Sequence, residues 1–475
     1  MIRRTNDHQL TKYPIASLRE LLVLSFPLVL STLSASLLGL CDRYFLSHYS
    51  LEAWKACTAA ANLCFFYQMT LIMVATATQA FIGHFQSSHK RDHIGPLVWQ
   101  MIYFSLLSML ITYPLSLATE FYLKGSEIQG PATLYFRYLS LVNFLYPLGG
   151  VLSSFYIGRG KTRIIFLVNL LTQLINIGLD YLLIFGVKGW FSPMGIRGAA
   201  VATIIAQSIF CLILLLLFLQ KKHVATYRTD LKKFNKTLFW EVLKTGVPRA
   251  LGRSMAVGSW IFASYLLVHR GGDYLLVHTF GVSIFLVLSF VNEGMSQALI
   301  TVASHILGAK LENIYKKLLS SALTFLGINM ALLAIPLLFM QEFIIHFFID
   351  EPLSTASYVL LKECCFWIWL VCFASGINRI GTSLLTAARD TVFYAICVSI
   401  TWVTLCIPVF YGIGYLSWTS TKFFLIDGIN CLVLGVIFIY RFLKDPSKKL
   451  SLSPLQFYTQ TNPDLDLSEK ALSAD

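Results

Sequence analysis

The sequence predicts an all-α polytopic membrane protein with about twelve transmembrane helices in two pseudosymmetric six-helix lobes. Three observations predict it. Of 475 residues, 56% are hydrophobic and only 13% are charged, whereas a soluble domain carries about 25% charged residues. Apolar runs of roughly 17–25 residues, enough to span a bilayer as helix, recur along nearly the whole chain. Those runs are continuous rather than alternating, which excludes a membrane β-barrel.

The elements follow in order. Residues 1–19 are basic and polar and form an N-terminal segment. The first apolar run is too long for a signal-peptide core and lacks a small-residue cleavage site at its end, so it reads as an uncleaved first span. Six spans are expected at 20–46, 53–83, 95–119, 131–157, 163–187 and 196–220. A basic linker, 221–237, leads to six more at 238–268, 274–307, 315–341, 356–386, 391–413 and 420–443. The tail, 444–475, contains Pro446, Pro454 and Pro463, ends in mixed charge and has the composition of a disordered segment.

Charge sets the orientation. Arg3, Arg4, Lys12 and Arg19 precede the first span, and Lys90, Arg91, Arg159, Lys161 and Arg163 follow the second and fourth. The linker carries Lys221, Lys222, Arg228, Lys232, Lys233 and Lys236; Lys310, Lys316, Lys317 and Arg441 continue the pattern. The alternate loops carry Glu120, Glu127, Glu342, Asp350 and Glu351. Basic loops stay on the cytoplasmic side. Both termini and the linker are therefore expected in the cytoplasm, with the chain in the plasma (inner) membrane. The net charge of +13 is accounted for by these loops and by contact with anionic lipid, so no nucleic acid partner is expected.

Internal matches point to duplication. Pro27 lies over Pro248, and under the same shift of 221 positions His84 falls on His305. GRGKT (158–162) lies over AARDT (387–391) in the loops after the fourth and tenth spans. Repeats with an even number of spans are parallel, related by an axis along the membrane normal. GRGKT is not a phosphate-binding loop: Phe155 stands where that motif needs its first Gly, and a membrane helix precedes it. With no ATPase module, any pumping must draw on an ion gradient. Ten cysteines show no CxxC or Cys/His metal spacing, so neither disulfides nor a metal site is expected. HxxxxD, HExxH, GxSxG and DDxxD are absent, which argues against a membrane-embedded enzyme.

The charges inside the spans carry the functional information. An acid at membrane depth costs roughly 2.5–3.5 kcal/mol on insertion scales. Yet Asp180 lies inside the fifth span, with Asn176 one turn earlier on the same face. Counting about 1.5 Å per residue, Asp42 of the first span and Thr203 of the sixth fall near the same depth. Two carboxylates, an amide and a hydroxyl at one level suit a hard cation such as sodium, and an acid deprived of water also takes up a proton readily. The residues leave other readings open. Asp180 could clamp two helices as a neutral acid, and Asp42 could pair locally with Arg43. In the second lobe Glu293, Arg379 and Asp427 are candidates for lining a cavity. Arg137, Arg253 and Arg379 could pair with those acids or with an anionic substrate. Glu363 adjoins Lys362 near a span end, where such side chains snorkel.

The run NLLTQLINIGLDYLLIFGVKGWFSPMGIRGAAVATIIAQ (169–207) resembles the multidrug and toxic compound extrusion (MATE) family. Asn and Asp four apart, DYLLIFG, a short loop with Pro and then MGIRGAAVAT carry the likeness. Pro27, Asp42, GRGKT and GVP at 246–248 extend it along the chain. The resemblance implies an ion-coupling set at Asp42, Asn176, Asp180 and Thr203, and a bending role for Pro27. It implies a secondary antiporter that exports organic compounds, cationic or amphiphilic, against a proton or sodium gradient, with no cofactor. The expected partners are a small-molecule substrate and the lipid bilayer, with the chain acting as a monomer. The segments PRALGRSMAVGSWIF (248–262) and ASGINRIGTSLL (374–385) lack the acids that some family members carry there. Coupling in the first lobe is therefore expected. The alternative is a lipid-linked oligosaccharide flippase of the related superfamily, which would prefer a basic cavity.

Overall fold

A computed structural model describes residues 9–122, 129–187, 189–190, 192–349 and 353–444. The expectations for Arg3, Arg4, Glu127, Asp350, Glu351 and the tail beyond Lys444 lie outside those residues, as does the side chain of Glu120. The first half comprises α1 (Leu18–Tyr49), α2 (Leu51–Thr76), α3 (Thr78–Ser87), α4 (Ile94–Leu107), α5 (Met109–Tyr122), α6 (Gln129–Leu141), α7 (Leu145–Ile157), α8 (Thr162–Phe185) and α9 (Ile196–Phe218). The linker holds a short helix, α10 (Lys221–Tyr227). The second half comprises α11 (Lys236–Arg270), α12 (Gly272–Leu288), α13 (Phe290–Gly308), α14 (Tyr315–Ala334), α15 (Gln341–Phe348), α16 (Thr355–Ala387), α17 (Thr391–Ser399), α18 (Ile407–Gly414) and α19 (Lys422–Lys444).

Among the described residues, nine helical stretches are long and apolar enough to cross a membrane. Two bent pairs, α6–α7 at 44° and α12–α13 at 40°, pass the same test together. These make nine to eleven spans among the described residues, against the twelve expected; α2 and α3 lie where the second expected span falls. Side-chain caps fix the starts of a few of the long helices. Ser17 Oγ accepts from Glu20 N at 3.2 Å, while Glu20 Oε2 reaches back to Ala16 N at 2.8 Å. Asn235 and Ser354 cap α11 and α16 in the same way.

The duplication extends to the backbone. His89 (φ 60°) and Lys310 (φ 56°), partners under the 221-position shift, both adopt left-handed geometry. Each is followed by a single 3₁₀ turn, Arg91–His93 and Glu312–Ile314. Gly160 (φ 73°) and Arg389 (φ 60°) occupy the same place in GRGKT and AARDT. The halves differ in their kinks. The fourth span bends between α6 and α7, whereas α16 runs unbroken. In the second half π-helical turns at Ile335–Phe339 and Trp402–Cys406 accompany Pro336 and Pro408, where a proline removes a backbone donor.

Hydrogen bonds between the halves gather on the side of the basic loops, hereafter the basic face. Gln79 Nε2 donates to Gln297 O (2.7 Å) and Thr301 Oγ1 (2.9 Å), and Thr301 Oγ1 donates to Ile157 O (3.0 Å). His305 Nε2 meets Gly158 O at 3.0 Å, and the Arg389 guanidinium lies 3.8 Å over the Phe81 ring. His84 and His305 thus sit at the junction. Glycine permits this approach: a Cβ at Gly308 would lie 2.4 Å from His84 O and 2.2 Å from Ser87 Oγ. Toward the opposite face, α6 and α12 pack against helices of their own half.

Candidate functional site

The fifth span, α8, is an inverted amphipathic helix. Its buried face holds Thr172, Gln173, Asn176 and Asp180, while Leu167, Leu171, Leu174 and Tyr181 are exposed on the other side. In a bilayer this is the stable arrangement, because lipid receives the leucines and polar groups find partners inside. Asn169 Nδ2 donates to Ser31 Oγ of α1. One stripe further along, Asn176 Nδ2 donates to Asp180 Oδ2 on its own helix and to Asp42 Oδ1 of α1 at 3.4 Å. Asn176 and Asp180 are buried, at 1% and 0% exposure. Two acceptor oxygens there, Asn176 Oδ1 and Asp180 Oδ1, have no hydrogen-bond partner.

The turn from α8 to α9 fixes this placement. Met194 N and Gly195 N donate to Leu183 O (3.0 Å) and Ile184 O (3.2 Å). A Cβ on Gly198 would lie 2.6 Å from Leu183 O, so MGIRGA packs α9 directly on the α8 backbone. A small apolar cluster that includes Leu46, Cys57, Tyr135, Ile184 and Ala199 lies alongside.

The expected residues therefore separate. Asp42, Asn176 and Asp180 come together. Thr203 Oγ1 instead donates to Ala199 O of its own helix at 3.0 Å. Asp42 is turned toward α8 and accepts from Asn176 rather than standing alone beside Arg43. Pro27 lies inside the single helix α1, close to where Gly294 of α13 packs on Val29. No group of three or more His, Cys, Asp or Glu suited to a metal occurs among the described residues.

The second half presents a different chemistry. Glu293 and Arg379 form an ion pair at 3.0 Å. Arg249, which the sequence reading overlooked, donates to Thr76 Oγ1 (3.1 Å) and Met73 O (3.4 Å) of α2. Its signal was PRALGRS, which sets Arg249 and Arg253 one turn apart on α11. Asp427 is buried beside Cys431 Sγ, 4.0 Å away. Glu363 does not snorkel alone; it accepts from Trp367 Nε1 (2.9 Å) and Thr421 Oγ1 (3.0 Å).

Comparison with known proteins gives a consistent result. A family profile described as MatE matches residues 27–182. A probable multidrug resistance protein NorM of Thermotoga maritima is 26% identical over 293 residues, which cover 60% of this chain and 62% of that protein. A probable multidrug resistance protein NorM of Bacillus anthracis is 23% identical over 441 residues, covering 90% and 94% of the two chains. Among solved structures, a multidrug resistance MATE family transporter of the MOP superfamily, in an outward-facing conformation, aligns with a TM-score of 0.79 at 18% identity. That alignment covers 94% of this chain and 100% of the other. A MOP superfamily transporter from Pyrococcus furiosus, for which reversed polarity of the binding pocket suggests a different function, aligns equally well at 17% identity, covering 94% and 99%. The profile over residues 27–182, the relatives along most of the length and the shared helical fold agree, and the chain is similar throughout to transporters of the MATE family.

Proposed function

We propose that this chain is a secondary active antiporter that exports amphiphilic organic compounds across the plasma (inner) membrane. The basic face is cytoplasmic, and both termini lie there. A proton or sodium ion entering from the opposite side binds at Asp42, Asn176 and Asp180, with Thr203 nearby on α9. The observation that carries this reading is the amide of Asn176 shared between two carboxyls inside the bundle. A neutral amide does not balance two carboxylates in a site shielded from water, so a proton or cation is favoured there. Buried acceptor oxygens on Asn176 and Asp180 supply ligands of the hard type that sodium requires.

Ion binding drives transport only by its different affinity for the two conformations. The basic-face junction described above corresponds to a state closed toward the cytoplasm. Opening it requires the contacts of Gln79, Thr301 and His305 to break, and Pro27 of α1 provides a point where the helix can bend. Proteoliposomes under separately imposed proton and sodium gradients test this. One gradient is expected to drive efflux, and Asp180→Asn and Asp42→Asn are expected to fold normally and to lose it. Drive by neither gradient rejects the antiporter. A second reading, a flippase for lipid-linked oligosaccharides, is favoured by one observation, the arginines of the second half.

A further inference from the structure

Four charged side chains deep in the second half gather at one place. Glu293 and Arg379 neutralise each other at 3.0 Å. Arg249 is held by Thr76 Oγ1 and Met73 O, neutral acceptors that leave its charge uncompensated. Arg253, one turn along α11, is half-buried and within electrostatic reach of Arg379, Glu293, Tyr394 and Cys431, and of Arg249. Three guanidiniums thus face a single carboxylate. Asp427, a further buried acid of this half, lies against Cys431 on its own helix. Charges this deep in a membrane protein are costly unless paired, and they mark substrate or ion pathways.

The position fits a transported ligand. Ser254, next to Arg253, meets Thr70 of α2 at 3.1 Å across the junction of the halves. The cluster therefore lies between the two halves, where their cross-contacts end. A purely structural clamp would give each arginine an acceptor, as Arg249 has. A guanidinium is built to hold carboxylate, sulfonate or phosphate in a forked pair of hydrogen bonds. An organic cation would instead meet net repulsion.

We propose that this cluster binds the acidic group of the transported compound, so that the substrate is an amphiphilic organic anion rather than a cation. The inference rests on the transporter reading above and names its substrate class. Arg253 makes the principal contact, Arg249 adds charge at the junction, and Glu293 holds Arg379 and sets the excess of positive charge. The family resemblance pointed to cationic or amphiphilic compounds; the local charge balance points to an anion.

The test uses the full chain purified in detergent, with carboxyfluorescein as anion and ethidium as cation, followed by fluorescence anisotropy. Carboxyfluorescein is expected to bind, and Arg253→Gln to weaken it about tenfold or more. Glu293→Gln is expected to strengthen it, a direction that general loss of structure would not produce. Thermal unfolding of each variant confirms that it is folded. Tighter binding of ethidium, or weakened anion binding in both variants, overturns the proposal. The same dyes in proteoliposomes separate the two claims. Gradient-driven movement of ethidium alone keeps the antiporter and rejects the anion. Binding of carboxyfluorescein without movement under either gradient keeps the site and rejects the antiporter. Displacement of the dye by short-chain phosphatidylglycerol assigns the acidic group to a lipid headgroup, and failure to displace it assigns a soluble compound.

Discussion

The two halves share a backbone and differ in the chemistry placed on it. With GRGKT laid over AARDT, Asn176 and Asp180 fall on Leu405 and Val409, both buried. With the 221-position shift, Arg249 and Arg253 fall on Leu28 and Thr32. Each polar group of one half thus has an apolar or neutral partner in the other. Duplication preserved turns and helix lengths, because those are set by the bilayer and by local backbone geometry. It did not preserve the charged groups of these two clusters, because two sites of the same sign would double a costly burial. On the reading proposed above, the halves divide the labour, with ion binding in the first and substrate binding in the second.

This division is most directly broken by charge removal in one half at a time. Asp180→Asn is expected to lower gradient-driven efflux at least tenfold while leaving dye binding within about twofold, as expected for sites without shared partners. Arg253→Gln is expected to do the reverse, with binding lost and substrate-independent ion uptake retained. Loss of both functions in either variant would join the two sites into one.

The next effect is steric and concerns the junction itself. Gly308→Val places methyl groups where His84 O and Ser87 Oγ already stand. It is expected to favour the state open at the basic face, seen as several-fold faster maleimide labelling of a Thr301→Cys reporter. Unchanged labelling would mean that α13 can shift without opening the halves. A smaller effect is expected from Thr203→Val. The hydroxyl of Thr203 is already satisfied by Ala199 O, so efflux should change by less than about threefold unless the residue is a true ligand, as the family resemblance implies.

The smallest effect lies outside the membrane. His223 of α10 is bonded through Nδ1 to Leu217 O (2.8 Å) and packed on the Phe155 ring. Burial first, and then the charge of Arg159, hold its imidazole below the ordinary histidine value of 6.5. The fold therefore favours the neutral ring. The stability this group contributes is present above about pH 6.5 and is lost as pH falls below it. Wild type is expected to lose more thermal stability than His223→Phe between neutral and acidic pH; equal losses would assign the acid sensitivity elsewhere.

Much of this was legible in the sequence. Span limits agreed to within a few residues because hydropathy and Gly/Pro punctuation act locally. The trio of Asp42, Asn176 and Asp180 was legible because an i,i+4 pair and a count of helical rise need no tertiary information. Thr203 shared the depth of the trio but bonds its own helix, a rotamer choice invisible to spacing. The Glu293–Arg379 pair, one of the pairings the sequence left open, joins α13 to α16, and no local pattern could choose it over the others. Arg249 was readable from PRALGRS but was passed over, since its partners, Met73 O and Thr76, belong to a distant helix and to no charge pattern.

The left-handed turns have a consequence for how the chain is oriented in the membrane. Of the non-glycine residues with positive φ, His89, Arg228, Lys310 and Arg389 are basic-type residues on one face. Glycine would relax each turn by roughly 1 kcal/mol but would carry no charge. The chain instead places basic side chains in its tightest corners, and Arg389 reaches from one of them over the Phe81 ring of the other half. Under the proposed orientation, the residues that close these turns also carry the charge that keeps basic loops on the cytoplasmic side.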